Sequence, residues 1–369
     1  MELSEDKRSA MKFILDDSDF HKRFFPLSLT RSVADFRIGI TTIKEKWEYF
    51  LKTEIAFCTE DYLATKYNFR NKTDCKNSEY INIKANIIPN NEIVTSILKG
   101  FPIESQKNIL QINQISDIFT LNAECIENDF KIITSGRESA KLSATNMLIG
   151  MNSIFIEAGC EIEGCTFNTK EGVIYIGKNC KIMEGTHIRG PVAICDNSEI
   201  KLGTKIYGGT TIGPHCKIGG EINNAVIFGY TNKAHDGFLG NSVVGEWCNF
   251  GAGTNSSNLK NNYSTVNVFN YESMDYKNTD LIFCGLIMGD HSKCAIGTRF
   301  NTGTSVGVCA NIFEADFPPK FIPSFAWGKE KYDFEKALDM IRKVMKRRNI
   351  ILSENDKEIL KYIHKQIWN

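Results

Sequence analysis

The chain carries no excess charge of either sign: Lys plus Arg and Asp plus Glu number 44 each. A global field that would hold it on nucleic acid or an anionic membrane is thereby excluded, so any phosphate it binds must be held by local groups. No stretch approaches the roughly 20 apolar residues that a membrane-crossing helix requires. The opening segment MELSEDKRSAMKF has charges where a secretory leader has an apolar core, and a cytoplasmic location is expected. Twelve cysteines are present, with no CxxC pair and no His/Cys metal spacing among them. They are expected to be reduced and mostly buried. With 42% hydrophobic and 24% charged residues over 369 positions, the chain is too apolar for disorder and long enough for two or more packed domains.

What is there in abundance is a period. Ile176, Ile182, Ile188, Ile194, Ile200, Ile206, Ile212 and Ile218 stand at a strict interval of six. The fifth place of each hexad is small or modest: Cys180, Thr186, Val192, Ser198, Thr204, Thr210 and Cys216. A helix repeats at about 3.6 residues, so that template fails. A period of six fits one flat face of a triangular coil, with the isoleucine pointing inward and three hexads closing a coil of about 18 residues. The same register includes Ile156 and Ile162 before the run, and Val244, Phe250, Met288, Cys294, Phe300 and Val306 after it. Segments 223–243 and 254–281 break the period and are expected to be inserted loops or irregular coils, which in such folds often mark the binding face.

Pro318, Pro319 and Pro323 end the repeat, after which Tyr332–Arg348 and Ser353–Trp368 read as two amphipathic helices that cap the solenoid. Ser353 followed by Asp356 resembles a capping box. The basic cluster Lys343, Lys346, Arg347 and Arg348 reads as a solvated helix face. The first 150 residues show no period. Phe13–Leu15 is a short apolar run ending in Asp16 and Asp17, Thr41–Leu51 is an amphipathic helix, and Ile55–Cys58 is a strand before a helix starting near Asp61. That alternation predicts a small α/β domain, and the polar segment 70–79 a loop or insertion.

Residues 232–258, NKAHDGFLGNSVVGEWCNFGAGTNSSN, lie where the period breaks. They resemble the acetyltransferase site of the bifunctional N-acetylglucosamine-1-phosphate uridyltransferase and glucosamine-1-phosphate N-acetyltransferase family, with its KAGH and NIGAGTITCN segments. LSLTRSVADFRIGITTIKEKW, GGTTIGPHCKIGGEINNAVIFG and PPKFIPSFAWG are similar to the Bacteroidetes-type variant of that family, which has a divergent N-terminal domain. The resemblance implies a divergent nucleotidyltransferase-like α/β domain over 1–145, a left-handed parallel β-helix acyltransferase domain over 146–325 and a C-terminal helical cap over 326–369. It also implies a homotrimer with sites at subunit boundaries.

Acyl transfer to an amine needs a base for the nitrogen's proton and donors for the thioester oxygen. By resemblance the base is His235, a residue type whose charge changes near neutrality. Asn249 would contact the sugar acceptor, and the backbone at Ala252 with the side chains of Asn258 and Thr302 would hold acetyl-CoA. Arg189, Lys201 and Lys205 are cationic positions on the solenoid wall that could pair with the sugar phosphate. His187, His215 and His291 read as surface or turn residues.

Two features depart from the family: its paired lysines appear here as Asn223 and Asn224, and its tyrosine three residues after the base is Phe238. The glycine-rich phosphate loop of the nucleotidyltransferase half is missing as well. Pro26–Gly39 could stand in for it, with Arg31 as the nucleotide phosphate contact and Asp16 or Asp17 as hard oxygen ligands for Mg2+; a buried strand end flanked by turn aspartates reads equally well.

The expected enzyme takes a sugar phosphate, acetyl-CoA and a nucleoside triphosphate, with acetyl-CoA as cosubstrate, and makes UDP-N-acetylglucosamine. The alternatives are a nucleotidyltransferase with an inactive β-helix and a non-catalytic trimeric scaffold.

Overall fold

A computed structural model describes residues 11–67, 80–103 and 109–366. The polar segment expected as a loop at 70–79 lies outside the described residues. The period-six reading holds: from Met147 onward the chain winds into a parallel β-solenoid with three walls of eight, nine and ten strands. Wall I starts with Met147–Ile149, wall II with Ile154–Ile156 and wall III with Glu161–Ile162. From Ile174 to Ile200 the isoleucines pair eighteen residues on, as Ile176 with Ile194 and Ile200 with Ile218. Their side chains fill the bore and are fully buried. Each such isoleucine removed from water contributes about 1.5–3 kcal/mol, which is why the repeat is kept so strictly.

The break at 223–243 is not an inserted loop. Ile218 pairs with Lys233, fifteen residues on, and Ile222 pairs with Leu239, seventeen on. The corners of these coils are short by one to three residues, so the period slips while the walls continue. The break at 254–281 does leave the solenoid: it carries an antiparallel hairpin, Asn267–Asn270 with Asp275–Asn278.

The N-terminal region forms the expected α/β unit. Strands β1 (Lys12–Asp16), β2 (Ala56–Cys58) and β3 (Tyr80–Lys84) make a parallel sheet in the order β2-β1-β3. Helix α1 (Ile43–Leu51) starts at Thr42, whose side chain closes a capping box with Glu45. Helices α2 (Asn91–Leu98), α3 (Asp117–Thr120) and α4 (Asn122–Thr134) follow. The helix expected near Asp61 is a 3-10 helix, Asp61–Tyr67. This unit packs directly on wall II: Phe13, Phe36 and Trp47 share one core with Val226, Phe228 and Val243. At the seam Asn122 Nδ2 donates to the Gly209 carbonyl at 2.8 Å and Thr211 Oγ1 to the Gly39 carbonyl at 2.8 Å.

Helices α5 (Phe334–Lys346) and α6 (Glu354–Gln366) do not close the open end of the solenoid. They lie on its flank, where Leu338, Ile341, Ile359 and Leu360 pack with Trp247, Cys309 and Phe325. Those three residues belong to the corner between walls II and III, in left-handed conformation at φ 61°, 57° and 56°. Ser353 Oγ accepts from the Asp356 amide at 3.0 Å, while the Asp356 carboxylate accepts from the Ser353 hydroxyl rather than from its backbone.

Among the described residues ten cysteines are free and nine of them buried. Cys58 is disulfide-bonded, which corrects the reading of all twelve as reduced. No described helix is long and apolar enough to cross a membrane.

Candidate functional site

The corners between walls III and I follow a rule in the regular coils. A threonine at the end of the corner turns back and donates to the carbonyl three residues earlier: Thr204 to Lys201 at 2.6 Å, Thr254 to Gly251 at 2.7 Å and Thr298 to Ala295 at 2.8 Å. These bonds satisfy carbonyls that the wall ladders cannot reach. His235 stands on this same corner, between the strands Asn232–Lys233 and Phe238–Gly240. It is exposed. The coil is tied to its upper neighbour by a Gly253 amide bond to the Asp236 carbonyl at 3.1 Å, so His235 and Ala252 occupy adjacent coils, about 4.8 Å apart in the stacking direction.

Two glycines make the close stacking possible. A Cβ on Gly237, at φ 127°, would stand 1.9 Å from the Thr254 carbonyl oxygen, and one on Gly251 would stand 2.3 Å from Ala295. Asn249 lies on wall III just before the Ala252 corner, half-buried, and its Oδ1 accepts from Asn232 Nδ2 at 2.8 Å. His235, Asn249 and Ala252 therefore form one patch. The Ala252 carbonyl already accepts from the Gly297 amide at 2.8 Å.

Asn258 and Thr302 sit elsewhere, at the corner between walls I and II. Asn258 Nδ2 donates to Asn241 Oδ1 at 2.8 Å. Thr302 is buried, its amide bonded to its neighbour Asn301 at 2.8 Å, in a corner packed against Val266 and Asn267 of the excursion. Between the two corners runs the short strand Asn255–Ser256, a span of about 13 Å for four residues of extended chain.

The acceptor cations are not brought together with this patch. Lys205 lies two strands below Phe238–Gly240 on wall I and Arg189 three, about 10 and 14 Å away by strand spacing. Arg189 is exposed and paired with Glu171 at 2.9 Å. Lys201 pairs with Glu199 at 2.5 Å.

Arg31 is not free for a nucleotide phosphate. Its guanidinium is buried between Asp290 and Glu246 of the solenoid, 3.2 Å from the latter, and lies 5.4 Å from the centre of the Phe228 ring. Burial opposes its charge, but Asp290 and Glu246 more than offset this and raise its pKa above the ordinary value. Burial also works against the Asp290 carboxylate, and Arg31 holds it below the usual range. Thr30 Oγ1 adds a bond to Asp290 at 2.6 Å. His291, expected at the surface or in a turn, is in a turn at φ 59° but buried beside this pair. Burial pushes it down to about 3, so its ring is neutral. His187, expected at the surface or in a turn, is exposed at the start of a wall I strand.

Asp17 is fully buried, and its Oδ2 faces the Val33 amide at 2.6 Å, Ser32 Oγ at 2.9 Å and His21 Nδ1 at 3.1 Å. Asp16 accepts from the Ser18 amide and from Asn82 Nδ2, each at 2.9 Å. Among the described residues no three acidic, His or Cys side chains are grouped to hold a metal. The two aspartates organise the loop after β1, and Asp17 Oδ1 is left buried without a hydrogen-bond partner among the described residues.

The sequence reading missed Lys233. It occupies the inward hexad position that Ile218 holds one coil below, is 2% exposed, and donates to the carbonyls of Gly219 at 3.0 Å and of His235 at 2.7 Å. Burial lowers its pKa to about 8, with Asp236 opposing. The fifteen-residue coil takes Lys233 out of the six-residue period, so only the strand register shows that it stands at an isoleucine position.

Comparison with known proteins gives a match to the sugar nucleotidyl transferase family over residues 13–102. The bifunctional protein GlmU of Wolbachia pipientis wMel is 28% identical over 181 residues, 41% of this chain and 42% of that protein. GlmU of Clostridium beijerinckii is 30% identical over 165 residues, 40% and 32% of the two chains, and GlmU of Trichodesmium erythraeum 35% identical over 86 residues, 23% and 18%. The matched stretches thus span under half of these relatives. Among solved structures, a hexapeptide transferase family protein from Anaplasma phagocytophilum aligns over 60% of this chain and 93% of its own at 16% identity and a TM-score of 0.20. The strand register, not that superposition, defines the fold here. The chain is similar to GlmU proteins over part of its length, and it joins a region that matches the sugar nucleotidyl transferase family to a solenoid of six-residue repeats.

Proposed function

We propose that the chain is a bifunctional transferase whose solenoid moves an acetyl group from acetyl-CoA to the amine of an amino-sugar phosphate, glucosamine-1-phosphate being the candidate, and whose N-terminal region transfers a nucleotidyl group to the sugar phosphate. The observation that carries the first half is the corner itself: an exposed imidazole standing one coil below Ala252 and next to Asn249, on a turn that has lost the regular threonine. In the reaction the amine lone pair forms a bond to the thioester carbonyl carbon, and His235 takes the proton leaving nitrogen. The carbon–sulfur bond then breaks and the proton returns to the CoA thiolate. An extended thioester lying across wall I would reach both the Ala252 corner and Asn258, which suits the length of a pantetheine arm. The acceptor phosphate is left with Lys205 as the unpaired cation on that wall, and a second copy of the chain is the natural source of further contacts.

The nucleotidyl half rests on the family match at 13–102. Asp17 and Arg31 are occupied by protein groups, so a second reading, an acetyltransferase whose N-terminal unit serves as a structural clamp, is favoured by that observation. One experiment separates the two: incubate the protein with glucosamine-1-phosphate, acetyl-CoA, UTP and Mg2+, and follow CoA thiol and pyrophosphate independently. Thiol release that depends on the amino sugar is expected, and its absence would sink the acetyltransferase reading. Pyrophosphate release would retire the clamp-only reading.

A further inference from the structure

We infer that Lys233 is the positioning residue of the His235 corner, a buried ammonium that bonds one carbonyl in each of two corners lacking the threonine cap and fixes the turn on which the imidazole stands. The inference rests on the acetyl-transfer reading for its catalytic meaning and on geometry alone for the clamp.

The geometry begins with what this coil and the one below it lack. Regular corners between walls III and I run four residues and end in threonine, as at 201–204, 251–254 and 295–298, and the hydroxyl satisfies the first corner carbonyl. The corner Gly219–Gly220 has only two residues between its strands and no hydroxyl. The corner Ala234–Gly237 has four, but Gly237 stands where threonine belongs, because a Cβ there would collide with the Thr254 carbonyl. Two successive corners are thus left without a cap. The lysine side chain, entering from the bore, reaches both: its ammonium bonds the Gly219 carbonyl and the carbonyl of His235 itself. A methionine or isoleucine at 233 would fill the bore equally well and leave both carbonyls without that donor.

The groups facing the ammonium are few. Asp236 lies on its own corner, and Cys294 contributes from a wall III strand two coils above. The Thr254 hydroxyl turns toward the Gly251 carbonyl and Cys294 rather than toward the lysine. A cation kept inside a hydrophobic bore costs stability, and an ordinary repeat residue would avoid that cost. The clamp has a use only if the corner must hold one shape, which a general base requires: displacement of a catalytic group by about 1 Å can cost on the order of 100-fold in rate.

The test is Lys233→Met, compared with the wild-type chain by two readouts. Backbone hydrogen exchange of the peptide 230–240 should quicken by about tenfold or more, with the corners at 251–254 and 295–298 unchanged. Acetyl-transfer kcat should fall by about 10- to 100-fold with the KM for acetyl-CoA within about twofold, and thermal stability should hold or rise. Unchanged exchange at 230–240 would overturn the clamp. Faster exchange with unchanged kcat would overturn the positioning role. If the wild type shows no acetyl transfer, the reading of the site fails, while the exchange result still decides whether Lys233 holds the corner. Should Lys233→Met fold poorly, Lys233→Gln, which retains a donor at shorter reach, serves in its place, with partial recovery of both readouts expected.

Discussion

The lower coils of the solenoid, from Ile154 to Ile218, and the upper coils, from Lys233 to Ile322, are wound from the same hexad and filled differently. Below, the pairings from Ile174 to Ile200 keep a register of eighteen residues and the bore is mostly isoleucine. Above, the register drops to seventeen at Asn232 and Leu239, the bore admits Lys233 and Ser256, and a hairpin leaves the stack. The N-terminal ion pair with Asp290 and both C-terminal helices also engage the upper part. The lower coils are supported on wall II by the N-terminal unit, where Ile126 and Phe130 pack with Phe155 and Tyr175. The departures above them each cost something in burial or cap, and they coincide with the residues that chemistry would use.

The sharpest way to break this comparison is His235→Ala. If the upper coils are the catalytic ones, turnover in acetyl transfer should drop by on the order of 100- to 10,000-fold, with acetyl-CoA affinity and folding preserved, since the side chain is outside the bore. Retention of more than about a tenth of the rate would assign the proton to another group.

Next in size is the contrast between two arginines. Arg31→Ala leaves Asp290 charged and buried without its partner, and a loss of about 3–5 kcal/mol in denaturant unfolding is expected. Arg189→Ala removes an exposed pair on the lower coils and should change stability by about 0–1 kcal/mol. Equal losses would remove the distinction between the two regions.

The smallest effect sharpens the comparison through pH. Lys233 has a folded-state pKa of about 8 against 10.5 for the unexposed-to-burial lysine. Between those values the unfolded chain binds more protons than the folded one, so stability should rise with pH across that window, by up to about 3 kcal/mol. Below pH 8 the penalty is fully present. Denaturant curves at pH 7.5 and 10 for wild type and Lys233→Met should show this gain in the difference between them; identical pH responses would mean that the ammonium is as well solvated as a surface one.

Much of the fold was legible because isoleucine at every sixth position has one structural solution. The helix at Ile43–Leu51 and the strand at Ala56–Cys58 were legible from short-range pattern. For the segment 223–243 the sequence left a loop or an irregular coil open, and the structure has the latter, because shortening a corner destroys the period without destroying the wall. His235, Asn249 and Ala252 were found through a motif and do converge. Arg31 was misassigned because the sequence shows its charge but not the carboxylates 215 and 259 residues away that take it. Asp17 was read equally as a cation ligand or as part of a buried strand end, and it is buried, with donors from a loop that only folding brings back. Lys233 escaped notice because, in sequence, one lysine in an apparent loop is unremarkable, whereas in register with Ile218 it is an exception.

At the corner between walls II and III, the rings of His215, Tyr230, Trp247 and His291 stack nearly parallel, with centroids 4.7, 4.2 and 6.2 Å apart. Each ring comes from a different coil, so the column exists only while successive coils remain in register. Tyr230 and Trp247, face to face at 8°, form a coupled pair of chromophores. The molecule therefore carries its own optical gauge: near-ultraviolet dichroism from this column reports whether the upper coils are stacked, independently of the backbone signal that all three walls share.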